Sequence, residues 1–348
     1  MTERDNAPVE WEGSVMPDGR FESPQLMSPE IREVIERFGH REDFTGTDLA
    51  FDSGSLTLRL HLANGLPAGE TLPPRIAGLP LRPVTARYFA ARASCSTELM
   101  PAGRLRPGLS CGRVGAGGGV LGALVIDEET GSAGILSNAH LLAGPDAKSG
   151  DLILQPSGAE GGLPYRDGIA RLNRWIFNLD GDAAVATLTG ERSWAAIGSC
   201  CYSGVRSFRP GETLTMTGAS AATVKAQAIA WGIYRIPSER YSGLVDSVDV
   251  AGIHLTAERT SCSDLSGAGG ALWIDGDSGH AVGLHFGYGS DDQNRVQTML
   301  ACDLPHVFQH LGIRLPSKDD LLAHAHRVAD VPPACVFDDR LIEDAAFV

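Results

Sequence analysis

The sequence comprises 348 residues with a net charge of −14 at pH 7, and 43% of its residues are apolar. This length suits two or three domains. The acidic balance argues against nucleic acid or an anionic membrane as a partner, because both attract basic surfaces. The 42 glycines and 20 prolines favour short strands and many turns over long helices.

Targeting and redox features predict a cytoplasmic protein. The N-terminal residues MTERDNAPVEWEG are polar, so they predict neither a signal peptide nor a membrane anchor. No apolar run reaches the length that spans a membrane. The seven cysteines form no CxxC pair, so we expect reduced thiols rather than disulfides or a zinc site.

The first part of the chain predicts a flexible leader (residues 1–27) and a small α+β module (28–92). SPEIREVIERFG predicts a helix, since Ser28 is a suitable N-cap, Pro29 suits the first turn, and apolar residues recur at helical spacing. SLTLRLHL (55–62) alternates as a half-buried strand does. The proline-punctuated stretch LPPRIAGLPLRPVTARYF predicts a further edge strand.

From about residue 110 the chain becomes a series of short apolar runs separated by Gly, Asp and Pro. Many short strands at near-regular spacing indicate antiparallel barrels or sandwiches. LPHVFQHLGI predicts a closing helix. Residues 316–348 predict a tail with a short helix around KDDLLAHAHRVA and an acidic, proline-bearing end.

Three features along this second part carry candidate chemistry. His140 stands at the end of an apolar strand in GILSNAHLLAG, Asp182 begins the apolar run of NLDGDAAVATL, and DLSGAGGALW crowds three glycines around Ala268. Each feature alone also fits a structural histidine, a strand-edge aspartate or a tight turn. Glycines packed this closely let a backbone turn sharply and expose its N–H groups.

In this order along the chain, the three features resemble the chymotrypsin-like (trypsin-like) serine proteases. ILSNAH matches the histidine motif of that family, DAAVA its aspartate motif, and SGAGGALW its nucleophile loop, with Ala268 where the serine belongs. ILSNAH, GDLILQPSGAEGG and DAAVA are most similar to the plant narrow-leaf protease and its bacterial relatives, which also carry an N-terminal module.

The resemblance covers about residues 110–315 and implies a mainly β fold. We expect two six-stranded antiparallel β-barrels over residues 93–315, split near 190–200, with the α+β module before them and a C-terminal helix and tail after them.

The resemblance also implies the role of each site residue. His140 would be the general base, Asp182 would orient its imidazole, and position 268 would carry the nucleophile. The oxyanion hole would be built by residues Ser266, Gly267 and Ala268, whose backbone N–H groups face the developing charge. Ser266 and Gly267 stand where Gly and Asp are commonest, so activation by a freed N-terminus is not expected.

A literal GDSG at DGDSGH places Ser278 ten residues after Ala268 as a rival nucleophile. The second barrel needs a strand pair after the nucleophile, then a further strand and a helix. Counting from Ser278 leaves one strand lacking, and DGDSG between two apolar runs is ordinary hairpin-turn chemistry. We therefore favour Ala268 as the nucleophile position and interpret DGDSG as a turn.

The pocket for the residue before the scissile bond has two interpretations. AVGLHFGYG is similar to the strand that lines this pocket in glutamyl endopeptidases and viral cysteine proteases of this fold, which implies a Glu or Gln preference through His285. Alternatively, Asp264 at the pocket base would favour Arg or Lys. The candidate lining residues are Cys262, Ser263, Asp264, His285, Phe286 and Gly287.

These features predict an intracellular trypsin-like serine endopeptidase that cleaves protein substrates and is present here in an inactive Ser-to-Ala form. Such an enzyme implies no metal or organic cofactor. The intact His140 and Asp182 favour a deliberate change over natural loss. One alternative is a natural pseudoprotease that binds a peptide or partner, and another is a protease active through Ser278. The N-terminal module, the tail or a regulatory partner protein could restrain the activity. The sequence is also compatible with a homo-oligomer.

Overall fold

The computed structural model describes residues 28–52, 55–91, 104–144, 146–190, 192–194, 202–217, 223–239, 245–256, 268–290, 296–317 and 319–321. The predicted leader (1–27) and most of the predicted tail, with the greater part of its short helix, lie outside these residues. Strands dominate the described part of the chain.

The N-terminal part begins with helix α1 (Pro29–Phe38), as the sequence predicts. The Ser28 hydroxyl accepts a hydrogen bond from the Ile31 N–H (3.3 Å), which satisfies one of the free donors of the first turn. Ile31 and Val34 are fully buried, so the apolar face of α1 packs into the core. Strands follow in the order β1 (Phe44–Asp52), β2 (Ser55–Leu62), β3 (Arg75–Ile76), β4 (Leu79–Thr85) and β5 (Arg87–Ala90).

A first barrel follows, built from six antiparallel strands and flanked by short elements. Its strands are β7 (Ser110–Arg113), β9 (Ala123–Asp127), β10 (Ala133–Ser137), β11 (Leu152–Leu154), β12 (Gly168–Asn178) and β13 (Gly181–Leu188). They pair in the order β9-β10-β13-β12-β11-β7. The Leu121 N–H donates to the Leu109 carbonyl (2.7 Å), which joins the chain before β9 to the chain before β7 and brings the two ends of the sheet together.

The short elements around the first barrel extend its sheet and its loops. They are β6 (Arg104–Leu105), β8 (Gly119–Val120), helix α2 (Ala139–Leu142), a 3-10 turn (Gly158–Glu160), β14 (Ser193–Trp194) and β22 (Ile313–Arg314). β8 pairs with β7 and β22 pairs with β9, at opposite ends of the sheet, while β6 and β14 pair with each other.

A second barrel closes completely through its own pairing. Its strands are β16 (Thr213–Thr217), β17 (Thr223–Glu239), β18 (Val245–Thr256), β19 (Leu272–Ile274), β20 (His280–Ser290) and β21 (Val296–Asp303). The order β16-β19-β20-β21-β18-β17 returns to β16 through the β16–β17 pair, so the six strands form a ring. β15 (Gly204–Val205) adds to β20, and helix α3 (Leu304–Leu311) follows β21.

The N-terminal strands continue the sheet of the second barrel. β1 pairs with β17 over Gly46–Ala50, and β2 and β4 extend the sheet beyond β1. β5 is different, because it leaves β4 and pairs with β20 instead. The stretch predicted as one edge strand therefore forms three strands, β3, β4 and β5, which join the same sheet at different places.

Three hydrophobic clusters correspond to these units. One fills the space between α1, the N-terminal strands and the second barrel. Another lies where the two barrels meet α3 and includes Leu136, Val185, Leu284 and Val307. The last fills the first barrel. The predicted fold class, mainly β with two six-stranded antiparallel barrels, is confirmed, whereas the predicted domain limits stay predictions.

Candidate active site

His140 lies at the end of a strand of the first barrel, in the short helix that follows β10. β10 ends at Ser137, and the chain turns at once into α2, which carries His140 in its first turn. The Ser137 hydroxyl donates to the Val120 carbonyl (2.7 Å), and the Asn138 side-chain amide donates to the Asp182 carbonyl (2.9 Å). These two bonds fix the backbone on which the imidazole stands.

Asp182 begins β13 and is 1% exposed. Its Oδ2 lies 2.5 Å from His140 Nδ1, and its Oδ1 accepts a hydrogen bond from the His140 backbone N–H at 3.1 Å. The Asp182 backbone N–H faces Cys302 Sγ at 3.2 Å. The carboxylate thus holds both the ring and the main chain of His140, and the pair expected from sequence is brought together.

The remaining ring nitrogen of His140 faces the second barrel and the end of β5. Nε2 lies 2.8 Å from the Ala91 carbonyl oxygen. A Cβ atom placed on Gly269 would lie 2.1 Å from that same oxygen, so the turn of residues 268–270 borders the space in front of Nε2. We call these three residues the glycine turn.

The glycine turn is clamped between the two barrels. The Val120 N–H donates to the Gly269 carbonyl (2.8 Å) from the first barrel, and the Gly270 N–H donates to the His285 carbonyl (2.9 Å) of the second. Gly270 has φ +91°, and a Cβ there would meet Ser137 Oγ at 2.3 Å, so this position requires glycine. Ala268 is fully buried at the start of the turn.

His285 lies in β20, fully buried beside Trp273, with their ring centroids 6.1 Å apart. Burial and the nearby His140 lower the pKa of His285 to about 3, an effect that the Leu300 carbonyl partly offsets. The ring is therefore neutral at physiological pH. Phe286 is buried next to it, and Gly287 pairs with Ala90 of β5.

Several candidate residues lie outside the described part of the chain. These are the pocket residues Cys262, Ser263 and Asp264 and the oxyanion-hole residues Ser266 and Gly267. Their roles stay predictions.

Ser278 lies in the exposed turn that joins β19 to β20. Its hydroxyl lies 2.5 Å from Asp275 Oδ2 and 3.0 Å from His280 Nδ1. The hairpin predicted for DGDSG is thus present, and the contacts of Ser278 differ from those of His140, which are Asp182 and Ala91.

Sequence reasoning missed two residues at the site. Cys302 ends β21 against Asp182, and burial together with the Asp182 charge raises the pKa of its thiol well above the ordinary value. Ala91 reaches Nε2 of His140 from a segment far away in sequence. The proline-punctuated stretch that ends in RYF predicted an edge strand, but no local pattern indicates which sheet edge a strand joins.

Among the described residues, one group of three side chains has the spacing that a metal ion requires: Asp180, His306 and His310. Their donor atoms lie within 4.8 Å of one another, at the β12–β13 turn and on α3. The group contains neither His140 nor Asp182, so the candidate catalytic pair is assembled without it.

Comparison with known proteins yields distant structural likeness alone. No family model matches the chain, and no curated protein matches it. Thermobifida fusca protease A is 12% identical with a TM-score of 0.42, over 62% of this chain and 99% of that chain. A Nocardiopsis protease is 15% identical with a TM-score of 0.42, over 62% and 100%.

Cellulomonas bogoriensis chymotrypsin is 13% identical with a TM-score of 0.42, over 62% of this chain and 100% of that chain. Likeness at this distance assigns no activity. The fold rests on the strand pairing of the two barrels, and the candidate site rests on the contacts of His140.

Proposed function

We propose that this chain is a serine endopeptidase of the trypsin-like class in a form that lacks its nucleophile. His140 is the general base, Asp182 orients it, and position 268 is the nucleophile position. The observation that carries the proposal is the double contact of Asp182 with the ring and the backbone of His140.

The chemistry follows from the orientation of the imidazole. When Nδ1 keeps its proton toward the carboxylate of Asp182, Nε2 carries the lone pair of the base. The Ala91 carbonyl oxygen, 2.8 Å from Nε2, must move away before that lone pair can accept a proton. A serine hydroxyl at position 268 would give its proton to Nε2 as it attacks a peptide carbonyl, and the same proton would pass to the leaving amine. Water would then release the acyl group. With Ala268 this covalent route is closed.

The sharp bend of the glycine turn is evidence in favour of our proposal that residues 266–268 form an oxyanion hole. Gly269 and Gly270 bend the chain sharply where it packs between the barrels. Backbone N–H groups exposed by such a bend stabilise the negative oxygen of the tetrahedral intermediate, and the loss of one donor lowers the rate by roughly a hundredfold.

The proposal allows two preferences for the substrate residue that precedes the scissile bond. A neutral, buried His285 retains one N–H donor, which suits the side-chain oxygen of Glu or Gln. Asp264 would instead attract Arg or Lys. Hydrolysis of peptide libraries by an active variant separates the two preferences.

A pseudoprotease that binds a peptide without cleaving it is the second candidate function. It is favoured by the complete burial of Ala268, whose methyl group packs in the hydrophobic cluster of the second barrel. The contacts of Ser278 with Asp275 and His280 support position 268 rather than Ser278 as the nucleophile position.

The proposal includes a cytoplasmic location and a protein substrate. Cys111 and Cys302 are buried free thiols, which supports a reducing compartment. Among the described residues, no helix combines the length and the apolar character that crossing a membrane requires. The acidic charge supports a partner other than nucleic acid.

The test restores the hydroxyl by Ala268→Ser and measures covalent labelling with a fluorophosphonate. We expect stoichiometric labelling of the variant and no labelling of the parent chain, which shares every other serine. His140→Ala in the Ala268→Ser background is expected to abolish labelling, because the hydroxyl loses its base. A folded Ala268→Ser protein that stays unlabelled, both alone and combined with Ala91→Pro at the residue that contacts Nε2 of His140, would refute the proposal.

A further inference from the structure

β20 offers one continuous edge to two different segments. β19 pairs with its first half, at Ala281–Leu284, and β5 pairs with its second half, at Gly287–Ser290. Between them the His285 backbone N–H donates to the Ala271 carbonyl (2.8 Å) and the His285 carbonyl accepts from Gly270. We call the edge from Phe286 to Ser290, with His140 at its end, the peptide groove.

The end of β5 extends this ladder to the catalytic histidine. The Ala91 N–H donates to the Phe286 carbonyl at 2.9 Å, and the Ala91 carbonyl oxygen lies 2.8 Å from His140 Nε2. Ala91 is fully buried. One residue thus places its N–H on the groove and its carbonyl oxygen on Nε2 of the candidate base, where the hydroxyl of a nucleophile would have to approach.

Three glycines make room for this segment. A Cβ atom on Gly287 would lie 2.7 Å from the Phe89 carbonyl oxygen, and one on Gly289 would lie 2.7 Å from Tyr88 Cε1. The Cβ of a residue at position 269 would lie 2.1 Å from the Ala91 carbonyl oxygen. Any side chain at these positions would strike β5, so the groove fits an extended backbone at close range.

The side chains of β5 have their own sites. The buried Tyr88 hydroxyl contacts His61 Nδ1, and its ring packs edge-on against Tyr234 with centroids 5.1 Å apart. Phe89 on the opposite face stacks on Tyr288, with centroids 5.6 Å apart and an interplanar angle of 30°. Side chains on both faces of β5 therefore pack against partners in the protein, as those of a peptide ligand do when it adds a strand to a sheet.

We propose that residues 87–91 are an intramolecular peptide ligand that fills the groove from the acyl side and blocks the candidate base. The ligand class is an extended peptide with a Tyr, a second aromatic residue and two small residues in that order. The second small residue places its carbonyl oxygen at His140 Nε2. This inference rests on the proposed function, because that function makes the groove a substrate groove. A substrate or partner peptide binds only after β5 has left.

Hydrogen exchange of the full-length parent chain tests the occupancy without any catalytic step. We expect slow amide exchange over residues 87–91 and an increase of about tenfold or more in Gly287→Ala, because the added Cβ meets the Phe89 carbonyl. Gly276→Ala is the matched control, since a Cβ there meets nothing within 4 Å. Exchange over Ala183–Ala186 reports on the integrity of the first barrel in both variants.

Fast amide exchange over residues 87–91 in the parent chain would overturn the proposal. Equal exchange rates over these residues in Gly287→Ala and Gly276→Ala would overturn it as well. If Gly287→Ala does not fold, Ala91→Pro replaces it, because proline removes the N–H that Phe286 accepts. Ala91→Ser keeps that N–H and is its control.

Labelling rates separate this inference from the proposed function. In the Ala268→Ser background, Ala91→Pro is expected to accelerate fluorophosphonate labelling about tenfold or more, because the reactive state is only fractionally populated while β5 is bound. Equal rates in the two proteins would reject the occupancy and leave the proposed function intact. Protected amides over 87–91 with no labelling of either protein would reject the proposed function and support the occupancy.

Discussion

At the scale of single residues, Asp182 and His140 make two contacts where one would leave the ring free to rotate. Oδ2 faces Nδ1, while Oδ1 accepts from the backbone of the same histidine. The carboxylate is nearly inaccessible to water, so its charge acts on the ring with little screening. The ring is therefore held in one orientation before any substrate binds.

Asp182→Asn in the Ala268→Ser background is predicted to lower kcat by roughly a thousandfold or more, because an amide no longer favours the required tautomer of His140. Asp277→Asn, on the exposed β19–β20 turn, is the matched control and is expected to leave kcat unchanged. Steady-state peptide hydrolysis measures both variants. A loss of less than tenfold in Asp182→Asn would contradict the orienting role.

At this scale His140, Asp182 and the glycine turn were predictable because His140 follows an apolar strand and the other two stand where apolar strands begin, each in its own local pattern. Ala91 and Cys302 were not predictable. They reach the site through pairing between strands that are far apart in sequence, and such pairing leaves no local trace.

At the scale of elements, a buried polar cluster joins the N-terminal strands to the second barrel. Asp48 of β1 is fully buried and pairs with Arg59 of β2, with both nitrogen–oxygen distances at 2.6 Å. Its Oδ2 also accepts from the Tyr234 hydroxyl (3.0 Å) on β17 and lies 3.1 Å from His254 Nδ1 on β18. Burial alone would raise the pKa of Asp48, but Arg59 and the neighbouring histidines hold it well below its ordinary value.

Asp48→Asn is predicted to lower the free energy of unfolding by about 3 to 5 kcal/mol, because Arg59 would keep a largely buried charge without its partner. Asp43→Asn is the control, since Asp43 pairs with Arg41 nearer the surface, where such a pair contributes about 1 kcal/mol or less. Guanidinium denaturation of the two variants measures the difference. Equal losses would contradict the role of the buried cluster.

Acidification is predicted to destabilise the fold through His254 and His285. Burial lowers the pKa of His254 to about 4 and that of His285 to about 3. The unfolded chain takes up these protons near pH 6.5, so between pH 6.5 and 4 the unfolded state binds more protons and stability falls as pH falls. The expected slope is at most about 1.4 kcal/mol per pH unit for each group.

Guanidinium denaturation at pH 7, 6 and 5 measures this slope. His254→Gln is expected to make it shallower, because glutamine does not titrate in this range. A slope unchanged by His254→Gln would show that the loss of stability arises elsewhere.

Element boundaries were largely predictable, and element partners were less so. Helix α1, β2 and the succession of short strands follow from periodicity and turn residues in the sequence. The pairing of β1 with β17 and of β5 with β20 depends on which edges remain open once both barrels have closed. That is a property of the assembled fold rather than of any segment.

At the scale of the whole molecule, two six-stranded barrels meet at the glycine turn, and the N-terminal strands are part of the second barrel's sheet. Within this arrangement β5 contacts both the second barrel and the N-terminal strands. Tyr88 of β5 contacts His61 of β2, and Ala91, directly after β5, contacts His140.

Peptide mapping of the fluorophosphonate adduct on the Ala268→Ser protein tests the central claim most directly. Tandem mass spectrometry is predicted to place a single adduct on residue 268, with none in a variant that also carries His140→Ala. An adduct on Ser278, or labelling that persists without His140, would contradict the assignment of position 268 and His140 as nucleophile position and base.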